Sequence, residues 1–308
     1  MVDILLQTLP FFALIGLGYW AGYTGFFSEE ATAYLTKFVF YFALSAMLFK
    51  FSANLSLGDV FDWPFVWAYL CGTALVYSLA TAVAVFRKRG MAEAAVEAQC
   101  AVIGNVGFLG VPMLALLLGE AAVGPIILVL SVDLIVFGSL IVILITGSRG
   151  RMSFGIVKTV ALGLLRNPMI VSIVGGLIWS GMGAPIPRPL NDFITILGAA
   201  ATPGALFAIG ASLASKSAER MSVAVWLSTA KLALHPVAVA FFALLVFPVD
   251  PYAAGVMISA AALPVAGNVF ILAQYYGVAP QRVSASILIS TVASVLTVSG
   301  FVAWVKTF

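Results

Sequence analysis

Residues 101–112 read AVIGNVGFLGVP. They sit inside an apolar run, 93–118, long enough to cross a bilayer, which takes about 20 mostly apolar residues. Yet the stretch holds three glycines, an asparagine and a proline, all poor helix formers. A helix broken in hydrocarbon frees backbone N–H and C=O groups, and each unsatisfied group is costly there. Such a break is tolerated only where those groups face protein, water or a ligand.

The membrane setting follows from composition. The 308 residues are 63% hydrophobic and 9% charged, with a mean hydropathy of +1.14. Soluble domains carry roughly 25% charged residues, so this chain cannot build a soluble surface. It reads as an all-α polytopic membrane protein. The net charge of +3 gives no reason to expect nucleic acid. Cys71 and Cys100 lie in apolar runs without metal-type spacing and read as core residues. A single histidine, His235, argues against a histidine-built metal or catalytic site. The first charge is Asp3, so the N-terminus reads as a membrane span rather than a leader.

Ten candidate spans follow: 4–24, 31–51, 63–86, 93–118, 122–146, 168–184, 190–214, 222–247, 252–276 and 283–305. The longest polar stretch is the loop around 147–166. Lys and Arg are distributed unevenly between the two sides. Arg87, Lys88, Arg89, Arg149, Arg151, Lys158, Arg166, Lys216, Arg220 and Arg282 fall on one side, against Lys50, Arg188 and Lys306 on the other. The basic side is expected to be cytoplasmic, which puts both termini outside.

Ten spans divide into two sets of five, 1–147 and 148–308, and an odd number per half inverts the second half. The residues support a repeat. Gly104-Asn105-Val106 in span 4 is matched by Gly267-Asn268-Val269 in span 9, with Pro112 and Pro264 flanking. Ser45 in span 2 and Pro203 in span 7 lie 158 residues apart, as do Pro10 and Pro168 in spans 1 and 6. The two asparagines are separated by 163, consistent with a small insertion between spans 2 and 4. Paired Gly/Pro-interrupted spans in inverted repeats are the mark of secondary transporters.

Two symmetric breaks are expected to cross near the midplane. Each restarts a half-helix whose N-terminus carries a partial positive charge and free N–H donors. Converging ends of this kind form an anion site without a buried cation. Asn105 and Asn268 add amide donors suited to a carboxylate. Gly104, Gly107 and Gly267 permit close backbone approach, while Pro112 and Pro264 redirect the broken helices.

Asp133 in span 5 is a candidate to bind a coupling cation (H+ or Na+), carry a proton or pair with a lysine. Lys231 and His235, at i and i+4 before Pro236, share a helix face as a candidate relay or a structural polar pair. Lys37 is expected to snorkel. Glu93 and Glu97 are expected to serve the start of span 4 electrostatically. Gln99 and Gln274 are amides within spans 4 and 9, and Trp20, Trp63, Trp67, Trp226 and Trp304 mark span ends.

The stretch from Gly104 to Pro112, GNVGFLGVP, resembles the span-4 motif of the auxin efflux carrier family, which includes plant auxin exporters and bacterial malate- or malonate-type permeases. Phe40 to Leu44 (FYFAL), Lys231 to Pro236 (KLALHP) and Leu263 to Gln274 (LPVAGNVFILAQ) resemble further family segments, and the similarity runs from 1 to 308. After FYFAL the family commonly has proline; here Ser45 follows, which removes the ground for a proline-made break in span 2. The resemblance implies the fold of bile-acid sodium symporters, with ten helices in two inverted repeats and crossover helices 4 and 9. It implies a scaffold of spans 1, 2, 6 and 7, often dimeric, with Ser45 and Pro203 as candidate scaffold-side contacts. Spans 3–5 and 8–10 would then form a moving transport domain. The family's carboxylate-binding asparagines fall on Asn105 and Asn268. The short loop between spans 5 and 6 resembles bacterial members, which points to a bacterial inner membrane.

The expected function is alternating-access, elevator-type transport of small organic anions, without a cofactor. The alternative is a cation/proton antiporter of similar architecture, which would want closely paired intramembrane carboxylates. An intramembrane enzyme would need a nucleophile–base pair or metal cluster that this chain lacks the residues to build.

Overall fold

The structure is a computed structural model describing residues 2–55, 62–149, 155–214 and 221–307. Arg151, Lys216 and Arg220, counted above on the basic side, lie outside the described residues, as does part of the segment joining the two halves. The described residues are helical throughout, joined by short turns. The helices are α1 (Val2–Tyr23), α2 (Glu29–Ala53), α3 (Trp63–Phe86), α4 (Met91–Val102), α5 (Val106–Leu118) and α6 (Glu120–Ser148). They continue as α7 (Gly155–Arg166), α8 (Pro168–Gly181), α9 (Arg188–Ala214), α10 (Met221–Val246), α11 (Pro251–Ala261), α12 (Gly267–Tyr276) and α13 (Pro280–Val305).

Six of these are long and apolar enough to cross a membrane, or seven if the bent pair α7–α8 counts as one span. The spans expected at 93–118 and 252–276 are each split. Neither half of either is long enough to cross a membrane alone.

Two packing groups are visible. Within the first, α1 lies directly against α9 because Gly18 and Gly210 face Phe207 and Ile15 backbone with no room for a side chain. In the same way Gly176 of α8 sits on Phe49 and Ser52 of α2, and Gly198 of α9 sits on Met47. Small residues let backbones approach where lipid supplies no hydrophobic drive between helices. In the second group α3 packs on α4 and α10, α10 on α13, and α4 on α6. Gly72 of α3 lies against Val239 of α10. A buried bond between Thr8 Oγ1 and Ser299 Oγ, 3.0 Å long, links the groups through α1 and α13.

The loop expected around 147–166 is a correction. Residues 155–166 form α7, which turns by 70° into α8. Its alternation of apolar residues with Lys158 and Arg166 makes an amphipathic helix, the type that lies along a membrane interface. Leu165 is 71% exposed. Span 2 also differs from a straight helix. It is continuous, but widens into a π turn at Val39–Ala43, and Ser45 Oγ donates to the freed Phe40 carbonyl at 3.1 Å.

Candidate functional site

The first break runs from Ile103 to Asn105 and the second from Ala262 to Ala266. They meet as a short antiparallel bridge between Gly104 and Val265. The N–H of Asn105 donates to the Pro264 carbonyl at 2.8 Å, and the N–H of Ala266 donates to the Ile103 carbonyl at 3.0 Å. The Asn105 carbonyl accepts from both Leu109 and Gly110 as α5 opens with a π turn. The N–H of Val265 is taken by Ser290 Oγ of α13 at 3.0 Å. The Ala261 carbonyl, at the end of α11, accepts from Lys231 Nζ. Six of the groups freed at the two breaks are thus satisfied by the opposite break, by α13 or by α10. That is how this chain tolerates two breaks in an apolar interior.

A cavity of about 1560 Å³ opens onto this junction. Asn105, Gly267 and Asn268 line it, together with Gln99, Phe108 and Asp133. Tyr23, Ser28, Lys37, Arg166, Tyr276 and Gln281 line it as well. α12 begins at the cavity with no side chain capping it. Its first N–H groups are therefore available as donors. A Cβ at Gly267 would meet nothing within 4 Å, so the helix start faces open space.

Several buried polar atoms lining the cavity have no hydrogen-bond partner among the described residues: Gln99 Oε1, Asp133 Oδ2, Asn268 Oδ1 and Ser284 Oγ. Buried polar atoms are rarely left so, and these four belong to residues that line one cavity.

The other candidate residues are distributed as follows. Gly104 backs onto Lys231, with Nζ 3.2 Å from where a Cβ would stand. Gly107 is closed off by Met169 of α8. Pro112 starts the α-helical part of α5 and Pro264 holds Asn105 through its carbonyl. Asp133 lies at the start of a π turn in α6 and accepts from Tyr69 OH at 2.8 Å. Among the described residues Asp133 has no cation within 4.0 Å; its direct partner is Tyr69, and Lys231 acts on it electrostatically from farther away. Lys231 and His235 are fully buried and joined at 3.2 Å, with Thr73 Oγ1 at 3.0 Å from the other ring nitrogen. Ser45 bonds its own helix and Pro203 is exposed; the residues of α2 and α9 that line the cavity include Phe40, Tyr41, Ala205 and Ala208.

A family model described as membrane transport protein matches residues 3–302. The chain belongs to this family, that of the auxin efflux carriers. It is 33% identical over 306 residues to a protein of Rhizobium meliloti (strain 1021) named "Putative malonate transporter", covering 97% of this chain and 95% of that one. It is 25% identical over 305 residues to "Uncharacterized transporter YfdV" of Escherichia coli (strain K12), covering 94% and 93%. It is therefore an integral membrane transporter.

This auxin efflux carrier family member also contains features that sequence reasoning missed. Arg282, counted above as a loop cation, is 7% exposed and pairs with Glu97, and with Glu93 at 3.2 Å. Glu97 also pairs with Arg87. Glu93 and Glu97 thus do more than serve a helix start: they tie α3, α4 and α13 together on the basic side. Lys37 lines the cavity, with Nζ 5.4 Å from the Tyr34 ring centre. Ser290, Tyr69 and Thr73 gave no signal beyond being polar residues in apolar runs.

Proposed function

We propose that this transporter is a secondary carrier of small carboxylates, with malonate-like dicarboxylates first among them. The observation that carries this reading is the cavity ending on two helix breaks that bond one another, with Asn105 and Asn268 at its lining. The carboxylate would sit against the uncapped start of α12, with the Asn105 and Asn268 amides turned to donate. Half-helix N-termini and neutral amides bind an anion without a fixed countercharge. Release is then not slowed by a strong ion pair.

In this reading the chain is ten spans in two inverted five-helix repeats, with α4–α5 and α11–α12 as crossover helices. The group of α1, α2, α8 and α9 is the scaffold and the homodimer surface. The remaining spans form a transport domain that moves elevator-fashion. The basic face is cytoplasmic in a bacterial inner membrane, with both termini outside, so the cavity is the inward-open state. Lys37 and Arg166 in its lining favour anion entry from the cytoplasm. An inside-negative potential favours anion export by about 2.3 kcal/mol per charge per 100 mV.

Asp133 supports one rival. Its free oxygen at the cavity is what a cation/proton antiporter would use. Purified protein in liposomes separates the two. Labelled malonate uptake with imposed voltage supports the carrier; cation-for-proton exchange with no carboxylate movement supports the antiporter and defeats it.

A further inference from the structure

Lys231 is fully buried, yet among the described residues no carboxylate lies within 4.0 Å of its ammonium. Its Nζ donates to the Ala261 carbonyl, the end of half-helix α11. It also lies 3.2 Å from His235 Nδ1. An ammonium has only donors, so Nδ1 accepts and the neutral ring keeps its proton on Nε2, which donates to Thr73 at 3.0 Å. In this arrangement the ammonium faces two negative charges: the end of α11, which it touches, and the Asp133 carboxylate, which acts on it from beyond 4.0 Å. On its other side Nζ abuts Gly104, next to Asn105. One cation thus touches both breaks from behind the cavity.

Carbonyls at half-helix ends are where secondary transporters hold a coupling cation. We propose that Lys231 is a tethered substitute for such an ion. It is a positioning residue: by holding the Ala261 carbonyl and backing Gly104, it fixes the register in which Asn105 and the start of α12 face the substrate. A diffusible inorganic cation is then not needed to assemble the site. This inference rests on the carboxylate-carrier reading.

The test uses purified protein in liposomes, with labelled malonate. Wild-type uptake should be unchanged when Na+ and K+ are replaced by N-methylglucamine; strict dependence on either cation overturns the proposal whatever the variants do. Lys231→Ala excises the equivalent of n-propylammonium. Its uptake should fall about tenfold or more, the loss of one charge-assisted bond, and recover saturably with n-propylammonium but not with tetramethylammonium. Lys231→Met fills the same space without charge and should stay inactive with either amine. A purely structural lysine would not be rescued. A folded Lys231→Ala protein that transports normally, or that no small amine restores, overturns the proposal. If Lys231→Ala does not fold, Lys231→Met and Lys231→Arg decide: uptake should be lost in the first and retained in the second, and the reverse overturns it. If wild type moves no carboxylate, the carrier reading fails instead. The cation site is then read from melting alone: n-propylammonium should raise the melting temperature of Lys231→Ala and not that of Lys231→Met, and an equal effect on both overturns it.

Discussion

The backbone N–H of Asn105 donates to the carbonyl of Pro264 at 2.8 Å, although the two residues come from opposite halves of the chain. Proline lacks an N–H and disrupts the helix before it, and Asn105 starts a π turn rather than continuing α4. Each residue leaves a backbone group without a helical partner, and each supplies what the other lacks. The junction is therefore held by main-chain bonds rather than by the asparagine amides.

At the second break one N–H is held by a side chain from α13. Ser290 Oγ accepts from Val265 N–H in a buried setting. Ser290→Ala leaves that donor orphaned, at a cost of about 1–3 kcal/mol. Thermal unfolding in detergent should show a lower melting temperature, and Ser290→Thr should recover most of it.

Glycines at the junction and in the helix pairs should respond differently. Gly267→Ala adds a methyl group to open space at the cavity. Melting should be unaffected while the KM for substrate rises. Gly210→Val instead drives side-chain atoms into the Ile15 backbone. Overpacking of this kind costs about 1–3 kcal/mol or more, and should appear as lost expression and lower melting, without a specific change in KM.

Glu97 holds two arginines while itself 1% exposed. Glu97→Gln removes the carboxylate and leaves Arg282 buried without its main counterion. Breaking a buried pair from one side costs about 3–5 kcal/mol. The double variant Glu97→Leu with Arg282→Leu should unfold at a higher temperature than Glu97→Gln, because no charge is stranded.

Asp133 is held by Tyr69 through one oxygen, and its other oxygen is buried without a hydrogen-bond partner among the described residues, in a residue that lines the cavity. If it carries the coupling proton, Asp133→Asn should abolish uptake driven by a pH gradient while sparing malonate counterflow without a gradient. Equal loss of both would make Asp133 a substrate or structural residue.

Much of the architecture could be read from local sequence. Trp63–Phe86 falls on the expected span because apolar length alone determines it. The break at Gly104-Asn105 was legible because glycine and asparagine are so out of place in an apolar helix. Pairing with the second break was legible only as a repeated motif. The partners across the fold were not legible: nothing near Lys231 in sequence points to Ala261, and nothing near Arg282 points to Glu97. A polar residue in an apolar run announces that it needs a partner, but the helix packing decides which. α7 was missed because a short amphipathic helix with two basic residues looks like a polar loop beside spans this apolar.

The most direct measurement is labelled malonate uptake into liposomes by wild type, Asn105→Ala and Asn268→Ala, with each protein's melting curve taken alongside. The expected result is voltage-sensitive uptake by wild type and a loss of about tenfold or more in each variant, with melting unchanged. Uptake by both variants at the wild-type rate would contradict the site. Cation-for-proton exchange in place of malonate movement would contradict the function itself.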